Sequence, residues 1–352
     1  MALNRSIKLN DNISKDEEVI LRNILARYPY SILDIKRVRS AYKIRTNKGN
    51  LCLKKFQHGK FKAKNGWILV NELYKNKFYN TAKFLKTKNN NILIKYKKYF
   101  FYVTEWIDGN ECDLRDLEEA KNVIKLLANF HLTTNKINTK GMKIPYNVEK
   151  WPEIYNQKLN DFLNYKTLIQ GKRIKNEFDK KYYDSIDIYY NRGIKTLSLL
   201  GDSNYTNYVK EVNVANSICH NSYYYQNIIK KDDVYYIIDL DRIVIDLQLV
   251  DLCKFISRLM SKSEYNWDFQ KAKEILESYM KIKPMSKDEL DIMLAMMIFP
   301  HKFWKLGRKR YYKHKNWSER KYNKKFKKLL TRFDKEDEFI KEFDKYVNDS
   351  SL

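Results

Sequence analysis

The chain has 352 residues and a formal net charge of +26 at neutral pH. This length is too great for one small core and predicts two or three packing units. Hydrophobic residues make up 43% of the chain, so a globular interior is expected. Only 9 glycines and 5 prolines occur, which excludes collagen-like sequence, long linkers and turn-dense β-sandwiches.

The positive charge has two explanations. Lysine supplies 54 of the 69 basic residues, alongside abundant asparagine, isoleucine and tyrosine. That profile is typical of an A+T-rich genome, in which lysine is an ordinary solvated surface residue. A field of this sign also attracts polyanions and acidic partners, although it does not determine the fold.

No targeting or membrane segment is predicted. The first 20 residues are polar and charged, and the longest apolar run, residues 292–300, is too short to span a bilayer. Four widely spaced cysteines without a CxxC pair predict reduced, partly buried thiols rather than zinc or redox chemistry. We expect a protein that is made in the cytoplasm and either stays there or leaves by assembly.

Alternating apolar residues predict a small β lobe over residues 1–105. The strands are predicted at residues 31–37, 41–46, 51–56, 92–96 and 100–106. The turn Asn47-Lys48-Gly49-Asn50 predicts a hairpin between the second and third strands. A helix over residues 61–75 is inserted after the third strand. The prediction is therefore five antiparallel strands with one helix.

From residue 106 the pattern becomes helical and predicts a large lobe over residues 106–352. Amphipathic helices are predicted at residues 117–131, 151–168 and 178–200. A second hairpin-like element covers residues 227–238, and the chain after residue 251 reads as helical to its end. The predicted fold class is therefore α+β, with a small β lobe followed by a large, mainly α-helical lobe.

Two places carry residues suited to phosphoryl transfer. Transfer from ATP needs a lysine on the α/β-phosphates, an acidic residue and an asparagine for Mg²⁺, and a carboxylate that orients the acceptor hydroxyl. Lys54 ends an alternating strand directly after the predicted hairpin, where such a lysine is expected, and Lys55 competes for the role. The other place is residues 218–241.

The series His220, Asn227, Asp239 resembles the aminoglycoside and choline kinase superfamily. That family carries His-Gly-Asp, four further residues, an Asn, a hairpin, and an Asp after an apolar strand. Twelve residues separate Asn227 from Asp239, which is room for one tight hairpin. The resemblance implies a two-lobed, protein-kinase-like fold that uses ATP with Mg²⁺. It implies Lys54 as phosphate anchor, Asn227 and Asp239 as Mg²⁺ ligands, and Asp241 as a further candidate ligand.

The chain differs from this family at the position of the catalytic general base. Where the family has Gly-Asp, this chain has Asn221-Ser222. A serine hydroxyl cannot accept a proton from a substrate hydroxyl at neutral pH, and loss of a general base typically costs about 10²–10⁴-fold in rate. His220 is adjacent, but the resemblance gives it the role of supporting the loop backbone. No catalytic base is therefore assigned, with Ser222 at the usual position.

Two other parts of a kinase site are not found in the sequence. Residues 36–42 contain no glycine, so close approach of the backbone to phosphates is not expected there. No convincing glutamate pairs with Lys54, because Glu72 lies late in the predicted helix.

Further segments resemble the CotS-type spore-coat branch of this superfamily. Residues 102–109 are similar to the segment that joins the lobes, and residues 126–131 to the helix that follows. The segments similar to the CotS-type branch itself are residues 178–183 and 299–304, with Tyr311, Tyr312 and Trp317. Membership implies deposition in the coat of a bacterial endospore after synthesis in the mother-cell cytoplasm. It implies other coat proteins, or acidic coat components, as partners.

Residues 301–332 hold 14 lysines and arginines against one acid, Glu319. Tyr322, Phe326 and their apolar neighbours form one stripe, which predicts an amphipathic basic helix. This helix either docks with a solvated basic face or forms a docking surface for an acidic coat protein or polymer.

Three functions are compatible with the sequence. The first is a degenerate, pseudokinase-like coat protein that works by binding and assembly. The second is an active small-molecule or protein kinase with a non-standard base. The third, a nucleic-acid binder, is disfavoured because no binding motif occurs and the aromatic residues read as core stripes.

Overall fold

The structure is a computed structural model that describes residues 13–57, 59–214 and 217–349. The strands are β1 (Ile32–Val38), β2 (Ala41–Thr46), β3 (Gly49–Phe56), β4 (Phe84–Leu85), β5 (Ile94–Tyr96), β6 (Tyr99–Glu105), β7 (Asn110–Glu111), β8 (Ile218–Cys219), β9 (Ile228–Lys231), β10 (Val234–Ile237) and β11 (Val244–Ile245). The α-helices are α1 (Lys15–Leu25), α2 (Lys60–Lys75), α3 (Leu117–Thr134), α4 (Trp151–Gln170), α5 (Glu177–Asp202), α6 (Tyr205–Val214), α7 (Leu249–Met260), α8 (Phe269–Met280), α9 (Lys287–Ile298), α10 (His301–Gly307), α11 (Glu319–Leu330) and α12 (Phe333–Asp349). The predicted α+β class is confirmed.

The chain packs as two compact units. The first combines the described residues up to Asp113 with Asn129–Pro145 and His220–Val244. The second combines Leu114–Ala128, Tyr146–Cys219 and the described chain from Ile245 onward. The boundary that the sequence suggests between residues 105 and 106 stays a prediction.

The main sheet of the first unit has six strands, not the five predicted. Its order is β1-β2-β3-β6-β4, and β5 pairs with β6 off this path. The additional strand is β4, whose two residues are too short to show a period of two in the sequence. Pairing of β3 with β6 sets Lys54 opposite Tyr102, so that the candidate phosphate anchor lies in the middle of the sheet.

Helix α1 was not predicted, although its sequence carries a start signal. The Ser14 side chain caps the helix by accepting a hydrogen bond from the Glu17 amide at 3.2 Å. Acidic residues fill the first turn, where they favour the positive end of the helix dipole. Leu21, Ile24 and Leu25 are buried in the core that the sheet forms, so α1 covers part of the sheet.

The second hairpin, β9 and β10, turns at Asp232 and Asp233, whose φ angles are both positive. Its last strand is held by Asn80, whose carbonyl accepts from the Ile237 amide at 2.8 Å and whose side-chain amide donates to the Tyr235 carbonyl at 2.9 Å. These bonds fix the chain directly before Asp239.

The second unit is mainly helical, with an aromatic core. Tyr182 of α5 and Phe303 of α10 stack with ring centroids 4.2 Å apart. Residues 301–332 do not form the single basic helix that was predicted, because α10 and α11 are separated by a segment in which His314 adopts a positive φ of 41°. Within the described residues, no helix has both the length and the apolar character that a membrane crossing needs.

Candidate functional site

Lys54 and Asp239 lie together in the first unit. The Lys54 ammonium forms an ion pair with Asp239 Oδ1, and the two side chains are 21% and 30% exposed. Lys54 also lies 5.9 Å from the centroid of the Tyr102 ring. The structure thus brings the candidate phosphate anchor and a candidate metal ligand into direct contact.

Asp239 holds an uncommon backbone conformation. Its φ is +71°, a region that non-glycine residues rarely occupy and that costs about 1–2 kcal/mol. The preceding residue is fixed on both sides, because the Ile238 amide donates to the Asn227 carbonyl at 3.0 Å and the Ile238 carbonyl contacts His220. Strain that the surroundings hold in place is typical of functional positions.

His220 joins the two loops of the site. Its Nε2 lies 3.1 Å from the Ile238 carbonyl, and its Nδ1 accepts a hydrogen bond from the Ser222 amide at 3.2 Å. The two bonds together require the neutral tautomer with the proton on Nε2. The side chain is fully buried, so both ring nitrogens are committed to backbone groups.

Asn221 and Ser222 are the residues that the sequence resemblance matches to the family's Gly-Asp. Asn221 adopts a φ of +61°, and Asn is the non-glycine residue best suited to this conformation. The loop therefore keeps a backbone shape that glycine would allow. Ser222 brings a neutral hydroxyl to the next position, in place of a carboxylate.

Asn227 is buried and oriented by Ser222. Its side-chain amide donates to the Ser222 carbonyl at 2.9 Å, which makes Oδ1 the atom suited to a cation. Asp241 lies near the same site and accepts a hydrogen bond from the Tyr102 hydroxyl at 3.4 Å. Burial, and then the Asp241 carboxylate, hold the pKa of Tyr102 well above its ordinary value.

The chemical groups of these residues are of the types that bind magnesium and a nucleotide phosphate. The Asn227 amide oxygen and the Asp239 carboxylate are hard donors of the type Mg²⁺ prefers, and Lys54 is a cation suited to phosphate. Bound ATP would supply the transferable γ-phosphoryl group. Among the described residues, no group of three His, Cys, Asp or Glu side chains could hold a metal ion, so magnesium here would need oxygen ligands from phosphate or water.

Glu72 does not pair with Lys54. The Glu72 carboxylate forms an ion pair with Lys75 at 2.6 Å on the same helix, α2. Helix α2 instead approaches the site through Gly66, where a Cβ atom would lie 3.0 Å from the Leu240 carbonyl oxygen. Among the described residues, Asp239 is the carboxylate that pairs with Lys54.

The cavity beside Lys54 and Asp239 is small. Its volume is about 100 Å³, whereas sites for drug-sized ligands are typically about 300–1,000 Å³. Phe84 and Tyr102 line it and stack on each other with ring centroids 5.0 Å apart. Both rings therefore form part of the wall of this cavity.

One buried acid of the second unit was missed by sequence reasoning. Asp246 accepts hydrogen bonds from the Trp151 indole at 2.7 Å and from the Leu247 amide at 2.8 Å. Burial raises the pKa of Asp246 to about 6, partly offset by the Trp151 bond. No motif in the sequence marks it, because its partner Trp151 lies 95 residues away.

Comparisons with known proteins identify a family and a relative for this chain. The family model described as "Spore coat putative kinase YutH" matches residues 22–343. Spore coat protein S of Bacillus subtilis (strain 168) is 24% identical over 335 residues, covering 92% of this chain and 93% of that protein.

Two solved structures show the same fold. An aminoglycoside phosphotransferase from Alicyclobacillus acidocaldarius superposes with a TM-score of 0.82 at 17% identity, covering 93% of this chain and 96% of that one. The AMP-bound complex of a spectinomycin phosphotransferase gives a TM-score of 0.64 at 13% identity, covering 89% and 94%. The predicted kinase-like fold is confirmed, and this chain belongs to the YutH family of spore coat proteins.

Proposed function

We propose that this protein works in the spore coat by binding and assembly, without efficient phosphotransfer. It is made in the mother-cell cytoplasm and joins the coat through other coat proteins or acidic coat components. Family membership supports the coat as its location.

One observation carries the proposal. Ser222 stands where a phosphotransferase of this fold has its carboxylate, and its backbone amide and carbonyl are bound to His220 and Asn227. The position is therefore held firmly while lacking a base. Loss of a general base typically costs about 10²–10⁴-fold in rate, and His220 cannot replace it because both ring nitrogens contact the backbone.

The pocket supports the same conclusion. A nucleotide with its metal has to separate Lys54 from Asp239 before either can bind it, since the two neutralise each other. The free energy needed to separate this pair lowers the nucleotide affinity that the retained residues offer.

The alternative is an active small-molecule or protein kinase with a non-standard base. The observation in its favour is that Lys54, Asn227 and Asp239 are retained, with Asp239 kept in a strained conformation. A loose transition state stabilised mainly by metal and lysine tolerates a weaker base than other mechanisms do.

Thermal unfolding with and without millimolar Mg-ATP separates the two functions. A ligand present at 100 times its Kd adds about 2.7 kcal/mol of stability, which is readily measured. The control pair is Asp239→Asn and Asp233→Asn, because both positions have positive φ and both changes remove one carboxylate. We expect no shift in the wild type. A shift that survives Asp233→Asn, is lost in Asp239→Asn and accompanies ATP turnover would establish the kinase instead.

A further inference from the structure

The second unit contains a cavity of about 280 Å³ built around a caged lysine. The Lys158 ammonium lies 4.9–5.7 Å from the centroids of four aromatic rings, those of Trp151, Tyr155, Phe299 and Trp304. No carboxylate of the described residues forms an ion pair with it. Burial, and then Lys254 and Arg308, lower the pKa of Lys158 to about 8. A desolvated cation of this kind is stabilised by any anion that enters.

A second cavity, of about 290 Å³, lies next to the first in the same unit. Trp317 lines it, and the Lys309 and Lys325 ammonium groups lie 4.7 and 5.3 Å from the centroid of its ring. Neighbouring cations lower the pKa of Lys309 further than burial alone does. The lysines of this cavity therefore repel one another, and a bound anion would relieve that repulsion.

The two cavities share part of their lining, including Lys302 and Lys305. We call them together the cationic trough. Ten lysine and arginine side chains line it against one carboxylate, Glu336. That carboxylate is already paired with Arg192 at 3.2 Å. Lining cations thus outnumber lining carboxylates in the trough, and its walls are apolar and aromatic.

We propose that the cationic trough binds an acidic peptide segment of another protein, with carboxylates on its lysines and apolar side chains against its aromatic walls. The inference deepens the proposed assembly function and rests on it for the partner's identity as a coat component. Charge complementarity requires an anionic occupant, and the two cavities provide space for its side chains.

A peptide fits the trough better than a nucleic acid does. Seven of its ten cations are lysines, which lack the fork with which arginine binds phosphate in two bonds. Binding of single strands relies on open aromatic faces for base stacking. Here the ring of Trp317 is contacted by Lys309, Lys321 and Lys325, so its faces are already used.

The test is fluorescence anisotropy with labelled peptides and the full-length chain, without nucleotide. The probes are an alternating Glu-Leu decapeptide, an alternating Glu-Ser decapeptide of equal charge, and oligothymidylate with the same number of charges. Lys325→Ala/Lys328→Ala removes two trough lysines from α11. Lys324→Ala/Lys327→Ala, on the same helix but outside the lining, removes the same charge as a matched control.

We expect the Glu-Leu peptide to bind more tightly than the Glu-Ser peptide. Lys325→Ala/Lys328→Ala should lower the affinity for the Glu-Leu peptide about tenfold. Lys324→Ala/Lys327→Ala should change this affinity little. Lys158→Met, which keeps the length of the side chain, should also weaken it. An equal loss of peptide affinity in both double variants would overturn the proposal, because it would show attraction by the general positive charge of the protein. Oligothymidylate that binds as tightly as the peptide would overturn it in favour of nucleic acid. Because no nucleotide is present, this result is independent of any kinase activity.

Discussion

The Lys54 ammonium is paired with the Asp239 carboxylate, so the candidate phosphate anchor and the candidate metal ligand neutralise each other. In a working site each of these groups faces the nucleotide and its metal. Their direct contact gives each of these partly buried charges a partner of opposite sign.

A double-mutant cycle measures this contact. We expect Lys54→Met and Asp239→Asn to be coupled by about 1 kcal/mol in the free energy of unfolding, since the pair is partly buried and in direct contact. Urea denaturation of the two single variants and the double variant gives the value. Strictly additive effects would show that the ion pair contributes nothing.

The left-handed conformation of Asn221 gives a second prediction. Asn221→Ala should lower the free energy of unfolding by about 1 kcal/mol, because a Cβ without a local hydrogen-bonding group disfavours a φ of +61°. Asn221→Gly should be neutral or slightly stabilising. Asn122→Ala, at a helical position of α3, serves as the control and should not destabilise. Equal tolerance of Ala and Gly at 221 would rule out the strained loop.

Lys158 makes the stability of the protein depend on pH. Its folded pKa of about 8 lies below the ordinary value of 10.5, so the unfolded chain binds more protons between these two values. The free energy of unfolding contributed by Lys158 therefore rises with pH from about 8 to 10.5. We expect Lys158→Met to be more stable than the wild type below pH 8, with the difference shrinking as pH rises through this window. Urea midpoints at pH 7, 9 and 10.5 test this, and a difference independent of pH would contradict it.

Local sequence signals predicted much of the first unit. The turn Asn47-Lys48-Gly49-Asn50 predicts the hairpin of β2 and β3, and the alternation after it places Lys54 on β3. The spacing from Asn227 to Asp239 predicts β9 and β10. These features could be predicted because turn preferences and the alternation of a strand depend only on residues close together in the sequence.

The rest depends on contacts between residues far apart in the chain. The pairing of Lys54 with Asp239 joins two segments 185 residues apart, and no local pattern chooses it over the helix glutamate. The cage around Lys158 draws its rings from α4 and from the chain near α10. Strand β4 and the break between α10 and α11 were missed for a related reason, since packing overrides weak local periodicity there.

The most direct test of the central claim is the rate of γ-phosphate release from Mg-ATP by the wild type, with Asp239→Asn as the background. We expect the wild type to equal the background, because Ser222 supplies no carboxylate and the pairing of Lys54 with Asp239 opposes nucleotide binding. Wild-type turnover of about 1 s⁻¹ or more, lost in Asp239→Asn, would contradict the account, since that is an ordinary enzymatic rate.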